Sequence, residues 1–358
     1  MAGDGVVVNV VAIDGRRRMW TVGNLTPFAA GSTAVIDKYG ARHWVVAVKA
    51  TFSILPDGST EVADEQPEPL LAPEYFGDPG TSSLRYEADL VDEKPGTDVL
   101  VLGTARAPEG KPCTKMNVGL RVGPMQKSLT VFGDRVYERN IAGLPVVSDP
   151  VPFLEMPIVY ERAHGGFDQA DPNPQRQKMF FPNPVGTGVA AKTSNLIGQP
   201  VANVEFPDGR VRKSAAPGFG PLCNYWDPRR QYQGAYDAAW IEKQKPLLPL
   251  DYDPRVNMCA PVDQQIEPHL RPSGVDVMLV GLTPAGRLGF RLPDPYFGFR
   301  THFGAYTKRP SVEHRAKLHT VIIEPDFPRV SLVWHTRLSC GNAIDDIDQT
   351  LVEEKRRV

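Results

Sequence analysis

HWVVAVKATFSI, residues 43–54, decides the fold class. Trp44, Val46, Val48, Ala50, Phe52 and Ile54 fall on one side of an extended chain. His43, Lys49, Thr51 and Ser53 fall on the other, interrupted by Val45 and Ala47. Two-residue alternation rich in β-branched and aromatic side chains is the signature of a strand, and Pro56-Asp57-Gly58 supplies the turn that ends it. Upstream, Thr33 to Ile36 reads as a partner strand, joined through Asp37-Lys38-Tyr39-Gly40.

Working outward, further strands are expected at Thr97 to Leu102, Met116 to Val122 and Ser128 to Phe132. They recur at Val275 to Leu282, Leu288 to Leu292, Lys317 to Ile323 and Val330 to Trp334. Asp326-Phe327-Pro328-Arg329 is the expected connection between the last two. Between these groups, from Pro150 to Pro272, Pro, Gly, Asn and Asp punctuate the chain and periodicity lapses. That stretch still carries Phe153, Tyr160, Phe180, Phe206, Tyr225, Trp226 and Trp240, more rings than a disordered segment holds. Long ordered loops pinned by buried rings are expected there, with one brief helix at Ala235 to Lys243. The reading is mainly β: antiparallel β-sandwich or barrel-like units with long ordered loops and few short helices. Residues 1–150 form a β-rich region, 151–270 a loop-rich aromatic and proline region, and 271–358 a second β-rich region whose charged tail, Glu353 to Val358, frays.

Composition supports this. The 358-residue chain has 35 prolines, which helix interiors do not absorb. Its 40 basic and 42 acidic residues give a formal charge of −2, without the basic excess of a general nucleic-acid binder. Four cysteines, Cys113, Cys223, Cys259 and Cys340, form no C-x-x-C pair and read as free thiols in a reducing compartment. The apolar run from Val6 to Val11 is too short to span a membrane, and no basic segment precedes it as in a secretory signal. The cytoplasm is the expected location, with no membrane and no nucleic-acid partner.

Tests for chemistry return little. No Gly-x-Ser-x-Gly elbow, His-Glu-x-x-His helix or phosphate-binding glycine loop is present. Gly186-Thr187-Gly188 lacks the context of a dinucleotide site and reads as a tight turn after Pro184. His164-Gly165-Gly166 is the best local acid–base candidate, with Glu161, Asp168 and Asp171 as nearby carboxylates to fix a tautomer, and Glu161, His164, Asp168 and Asp263 make up the alternative composite cluster. It has no nucleophile at a defined spacing, and a glycine turn whose histidine bonds to backbone explains it better. Asp345, Asp346 and Asp348 lack the glycine and distal glutamate of a calcium loop. No cofactor and no metal is expected. The segment around Trp226, Arg229, Arg230 and Tyr236, followed by Tyr252, is more suggestive. Arg, Trp and Tyr clamp loops internally, and they also anchor protein interfaces. Sequence leaves both roles open.

In order, the chain carries Asn24-Leu25-Thr26-Pro27-Phe28, Val48-Lys49-Ala50-Thr51-Phe52 and Lys94-Pro95-Gly96-Thr97-Asp98-Val99-Leu100. Tyr160-Glu161-Arg162-Ala163-His164-Gly165-Gly166, Asn183-Pro184-Val185-Gly186-Thr187-Gly188 and Trp226-Asp227-Pro228-Arg229 follow. Leu248-Pro249-Leu250-Asp251-Tyr252-Asp253 and Ala260-Pro261-Val262-Asp263-Gln264 complete the series. This combination resembles a prokaryotic family named as domain of unknown function 2169. His164 stands where that pattern often has phenylalanine, which speaks against a family-wide histidine catalyst. The resemblance implies an adaptor or chaperone of type VI secretion, which binds an effector protein and assists its loading onto the spike protein or its tip. It implies no enzyme. An enzyme with a composite His, carboxylate and Arg site is the alternative, and a structural component of the secretion particle is another.

Overall fold

The computed structural model describes residues 5–13 and 16–356. Expectations placed on the first four residues and on the last two of the charged tail fall outside them. The structure is mainly β, with several sheets and few short helices. Its α-helix, Ala238–Lys243, starts where the Asp237 side chain accepts a hydrogen bond from Trp240 N at 2.9 Å. Among the described residues no helix is long and apolar enough to cross a membrane.

The alternating segment forms the strand Arg42–Ile54. It lies between Ala29–Ile36 and Arg329–Ser339 in a seven-stranded sheet that continues through Lys317–Glu324 and Thr97–Val101 to Gln265–Ile266. Thr60–Val62 adds a short arm beside Arg42–Ile54. The turn before Arg42–Ile54 is closed by Asp37, whose Oδ1 accepts from Tyr39 N and Ala41 N, both at 2.9 Å. The later hairpin turns over 325–328, and Arg329 opens the returning strand as the partner of Glu324.

Trp44, Val46, Val48, Ala50, Phe52 and Ile54 enter the main apolar core, as the alternation requires. A five-stranded sheet covers them, in the order Gly5–Ile13, Arg16–Asn24, Ile347–Glu354, Phe297–Phe303, Val312–Arg315. Trp20 meets Trp44 edge-on at 5.2 Å, and Phe297 bridges Phe28 and Trp334. Trp44 Nε1 donates to Thr350 Oγ1 at 2.9 Å, so this fully buried indole is satisfied.

A second five-stranded sheet runs Val204–Glu205, Met125–Phe132, Lys115–Val122, Asp276–Val280, Arg287–Arg291. Met116, Val118, Leu120 and Val122 point inward from it.

The structure corrects three expectations. The seven-stranded sheet and the five-stranded sheet that covers it are mixed rather than antiparallel, since Thr97–Val101 runs parallel to Lys317–Glu324 and Arg16–Asn24 runs parallel to Ile347–Glu354. The second five-stranded sheet is antiparallel throughout. Among the described residues no sheet closes into a barrel. Glu353 and Glu354 belong to a central strand paired with Gly298 and Phe297, and Lys355 N donates to Tyr296 O at 2.7 Å, so the chain is held in place through Lys355. Strands from the first and last parts of the chain also share sheets: Arg42–Ile54 pairs with Arg329–Ser339 along its whole length.

Candidate interaction surface

The two glycine motifs pack against each other. His164–Gly165 pairs in parallel with Thr187–Gly188, and Asn183 locks the pair. Its Nδ2 donates to Tyr160 O at 2.8 Å and to His164 O at 3.2 Å, while its carbonyl accepts from Gly166 N at 2.9 Å. A Cβ on Gly165 would fall 2.2 Å from Asn183 O, and one on Gly186 only 2.3 Å from Asn183 Nδ2. Close backbone approach therefore explains these glycines. The buried amide at Asn183 escaped the sequence reading, although Asn-Pro marked a turn there.

The acid–base candidates are held apart by separate partners. Glu161 accepts from Ser83 N at 2.7 Å and Ser83 Oγ at 2.8 Å. Asp168 accepts from Ala191 N at 2.8 Å and Ala170 N at 2.9 Å. Asp263 pairs with Lys127 at 2.8 Å, yet burial still pulls the lysine down to about 8. None of these carboxylates hydrogen-bonds His164, which instead sits edge-on to Phe180 at 5.3 Å. Burial, aided by Lys178, lowers the pKa of His164, so the ring is neutral near neutral pH. Among the described residues no group of three or more His, Cys, Asp or Glu side chains is arranged to hold a metal ion.

The expected Trp and Arg anchors divide. Trp226 is fully buried against Tyr160, with ring centroids 5.5 Å apart, and belongs to the core. Arg229 is buried too; its Nε donates to Val256 O at 2.7 Å, and its guanidinium pairs with Glu87 and the Leu222 carbonyl. Both are internal braces, which corrects the expectation that their side chains form an exposed interface. Arg230 remains partly exposed, stacked on Phe181 at 3.9 Å and paired with Asp227 at 3.2 Å. Tyr236 is 53% exposed and meets Trp240 at 4.8 Å. Tyr252 is half-buried, and burial pushes its phenol up to about 12. A shallow hollow of about 480 Å³ brings Arg229, Tyr236 and Tyr252 together, with Glu87, Gln233 and Asn257 also in its wall.

A stronger apolar surface was missed in the sequence. Tyr137–Arg139 and Pro145–Val147 form a two-stranded hairpin. Asn140 closes its tip by accepting from Leu144 N at 2.9 Å, and Gly143 there has φ +78°. Ile141 is completely exposed and Leu144 is 61% exposed, with Val136, Val146, Val147, Val151 and Leu154 also open to solvent. Isolated exposed apolar residues are ordinary, but Ile141, Leu144, Val146 and Val147 share this one hairpin, which makes it a candidate contact surface. The usable signal was Asn-x-x-Gly between two apolar stretches.

At the base of this hairpin, Tyr137 and His164 line a cleft of about 110 Å³ with Val204, Phe206 and Pro217. A second hollow, of about 420 Å³, shares His164 and Val211 with it.

Searches of curated proteins and of solved structures find no match to this chain. A family model described as "Uncharacterized protein conserved in bacteria (DUF2169)" matches residues 39–335, and the chain belongs to that family.

Proposed function

We propose that this protein is a noncatalytic adaptor or chaperone that binds a type VI secretion effector in the cytoplasm and assists its loading onto the spike. The hairpin tipped by Ile141 and Leu144 is the observation that carries this reading. Family membership supplies the biological setting, through the resemblance developed from the sequence. The larger sheets act as a sandwich-like scaffold, so the projecting loops need little ordering on binding. The hairpin covers an apolar surface of the effector, and competing spike contacts release it. Arg230, Tyr236 and Tyr252 supply a further polar and aromatic contact area around the 480 Å³ hollow.

The test is co-expression with the product of the adjacent effector gene, followed by tagged co-purification and a delivery assay. A stable complex, lost with Ile141→Asp and Leu144→Asp together, is expected. A protein that neither binds the effector nor alters its delivery sinks the proposal.

A further inference from the structure

Residues 206–213, Phe-Pro-Asp-Gly-Arg-Val-Arg-Lys, form a loop between the two apolar hollows described above. The loop is shaped locally. Asp208 Oδ1 accepts from Arg210 N at 3.1 Å, Phe206 O accepts from Gly209 N at 2.8 Å, and Gly209 has φ +66°. Arg212 lies over the Phe206 ring at 3.8 Å and is paired with Asp208 at 3.6 Å, so its charge is already partnered. Arg210 and Lys213 differ. Both are exposed, and neither has a carboxylate within 4 Å among the described residues.

The walls beneath these cations are apolar. Val204, Phe206 and Pro217 line the first hollow; Met179, Val189 and Leu196 line the second. Val211, exposed between them, belongs to both. The carboxylate that lines the first hollow, Glu205, is taken up by Arg135 at 2.5 Å. His164 presents an aromatic ring to both hollows. Lys178 stands at the second with its Nζ directed at Ala190 O, 3.4 Å away. The surface thus combines apolar seats with unpaired rim cations in a chain whose net charge is −2. A bare phosphate or a nucleic-acid backbone would use the cations and leave the apolar seats empty. An acidic segment with an apolar side chain uses both.

We propose that the 206–213 loop and its two flanking hollows receive an extended acidic segment of the partner protein, anchored by an apolar side chain and oriented by Arg210 and Lys213. This rests on the adaptor reading and names the chemistry of what the adaptor grips. The unpaired cations select for acidic residues, and the hollows select for an apolar residue between them.

A random peptide library displayed on phage and panned against the full-length protein tests it. The expected clones place Asp and Glu around one Leu, Ile, Met or Phe. Peptides synthesised from them, followed by fluorescence anisotropy, bind about tenfold more weakly to the Arg210→Glu/Lys213→Glu double variant and weaken as salt rises. Both changes lie on an exposed loop, and an unchanged circular dichroism melt verifies the variant's fold. The inference is overturned by no enriched clones, by clones without acidic bias, or by peptides that bind the double variant equally well. Competition by a short DNA oligonucleotide stronger than by the free peptide also overturns it, since the loop then reads phosphates. Co-purification with the effector separates the two levels. If it survives in the double variant, the adaptor reading stands and this groove is not its grip. If the unaltered protein fails to co-purify, the adaptor reading itself falls.

Discussion

On one face of the seven-stranded sheet, Trp44, Val46, Val48, Leu332 and Trp334 lie against a second sheet and exclude water with rings and branched side chains. On the opposite face, Lys49, Thr51, Asp98, Thr320, Glu324 and Ser331 are buried just as completely, beneath loops. Paired charges line that second face. Lys49 meets Asp89 at 2.9 Å, and Lys94 meets Asp98 at 2.8 Å and Thr320 Oγ1 at 2.9 Å. Glu324 accepts from Tyr86 OH at 2.5 Å and Arg329 Nε at 2.7 Å. The apolar face gains stability from area removed from water, with no directional demand. The polar face gains register instead: each loop has one place where its charge is matched. Loops with little regular secondary structure can be fixed over a sheet this way, provided every buried charge keeps its partner.

Asp98→Ala should break the polar face most severely. Asp98 accepts from Lys94 Nζ at 2.8 Å, Cys259 N at 2.9 Å and Ala260 N at 3.0 Å, so one carboxylate ties two loops to the sheet. Burial opposes the charged form of Lys94, yet the charge and hydrogen bond of Asp98, with Cys259 and Glu87 beside it, together outweigh burial and raise the lysine's pKa. Removing the carboxylate strands that ammonium and two backbone donors, a loss of about 3–5 kcal/mol in denaturant unfolding. Lys94→Met combined with Asp98→Asn should recover part of it, because the unmatched charge is gone and an acceptor remains. A double variant no better than Asp98→Ala would show that the ion pair is not what secures the loops.

Leu332→Ala probes the other face and should cost about 2–4 kcal/mol through lost contacts and a residual cavity. The size of that loss should not change with salt or pH. A strong salt dependence would blur the distinction between the faces.

Acid should attack the polar face selectively. His269, His319 and His335 stack in sequence, with centroids 5.3 Å and 4.2 Å apart, and His335 is hydrogen-bonded to Val91 O at 2.7 Å. Burial pushes His335 down to about 3, with Lys94 and Arg337 adding to the effect; burial likewise lowers His319. These folded-state values lie below the unfolded value of about 6.5, so the unfolded chain takes up protons first as pH falls. Stability is therefore full above about pH 6.5 and declines from there towards about pH 3, with His335 alone contributing a loss of about 2 kcal/mol by pH 5. Urea titrations at the two pH values measure it. His335→Asn should flatten that slope, and an unchanged slope would move the acid sensitivity elsewhere.

How legible all this was in the sequence follows from the same contrast. The apolar face wrote itself into the alternation of residues 43–54, and each expected strand was found to within a few residues. The burial of the polar face left no trace in the sequence, because Lys49 and Thr51 carry no mark that Asp89 and Ser331 will partner them. Val45 and Ala47, which seemed to interrupt the pattern, pack with Leu90 and Val333 under the covering loops. Ile347–Glu354 was not foreseen as a strand, because its central place depends on distant strands that flank it. At the candidate site, Trp226 and Arg229 were identified as important without a sign of direction, since bracing and binding use the same side chains. Tyr236 and Tyr252 do share a hollow. The exposed hairpin was overlooked because Val and Leu between turns suggest burial, and sequence does not say what lies opposite.

The smallest effect on stability is expected where neither kind of burial operates. Ile141 and Leu144 project from the hairpin tip, anchored by Asn140 rather than by their own packing. Ile141→Ser with Leu144→Ser should therefore leave the unfolding midpoint within about 0.5 kcal/mol of the unaltered protein. The same double change should remove co-purification with the effector, because two exposed apolar anchors are lost from the proposed contact. A marked loss of stability would mean that the hairpin tip is part of a buried layer, extending the first face of the comparison to a third region. An unchanged complex would place the contact at the 206–213 loop or the Tyr236 hollow. Stability and binding must separate here, or the hairpin is not an interaction surface.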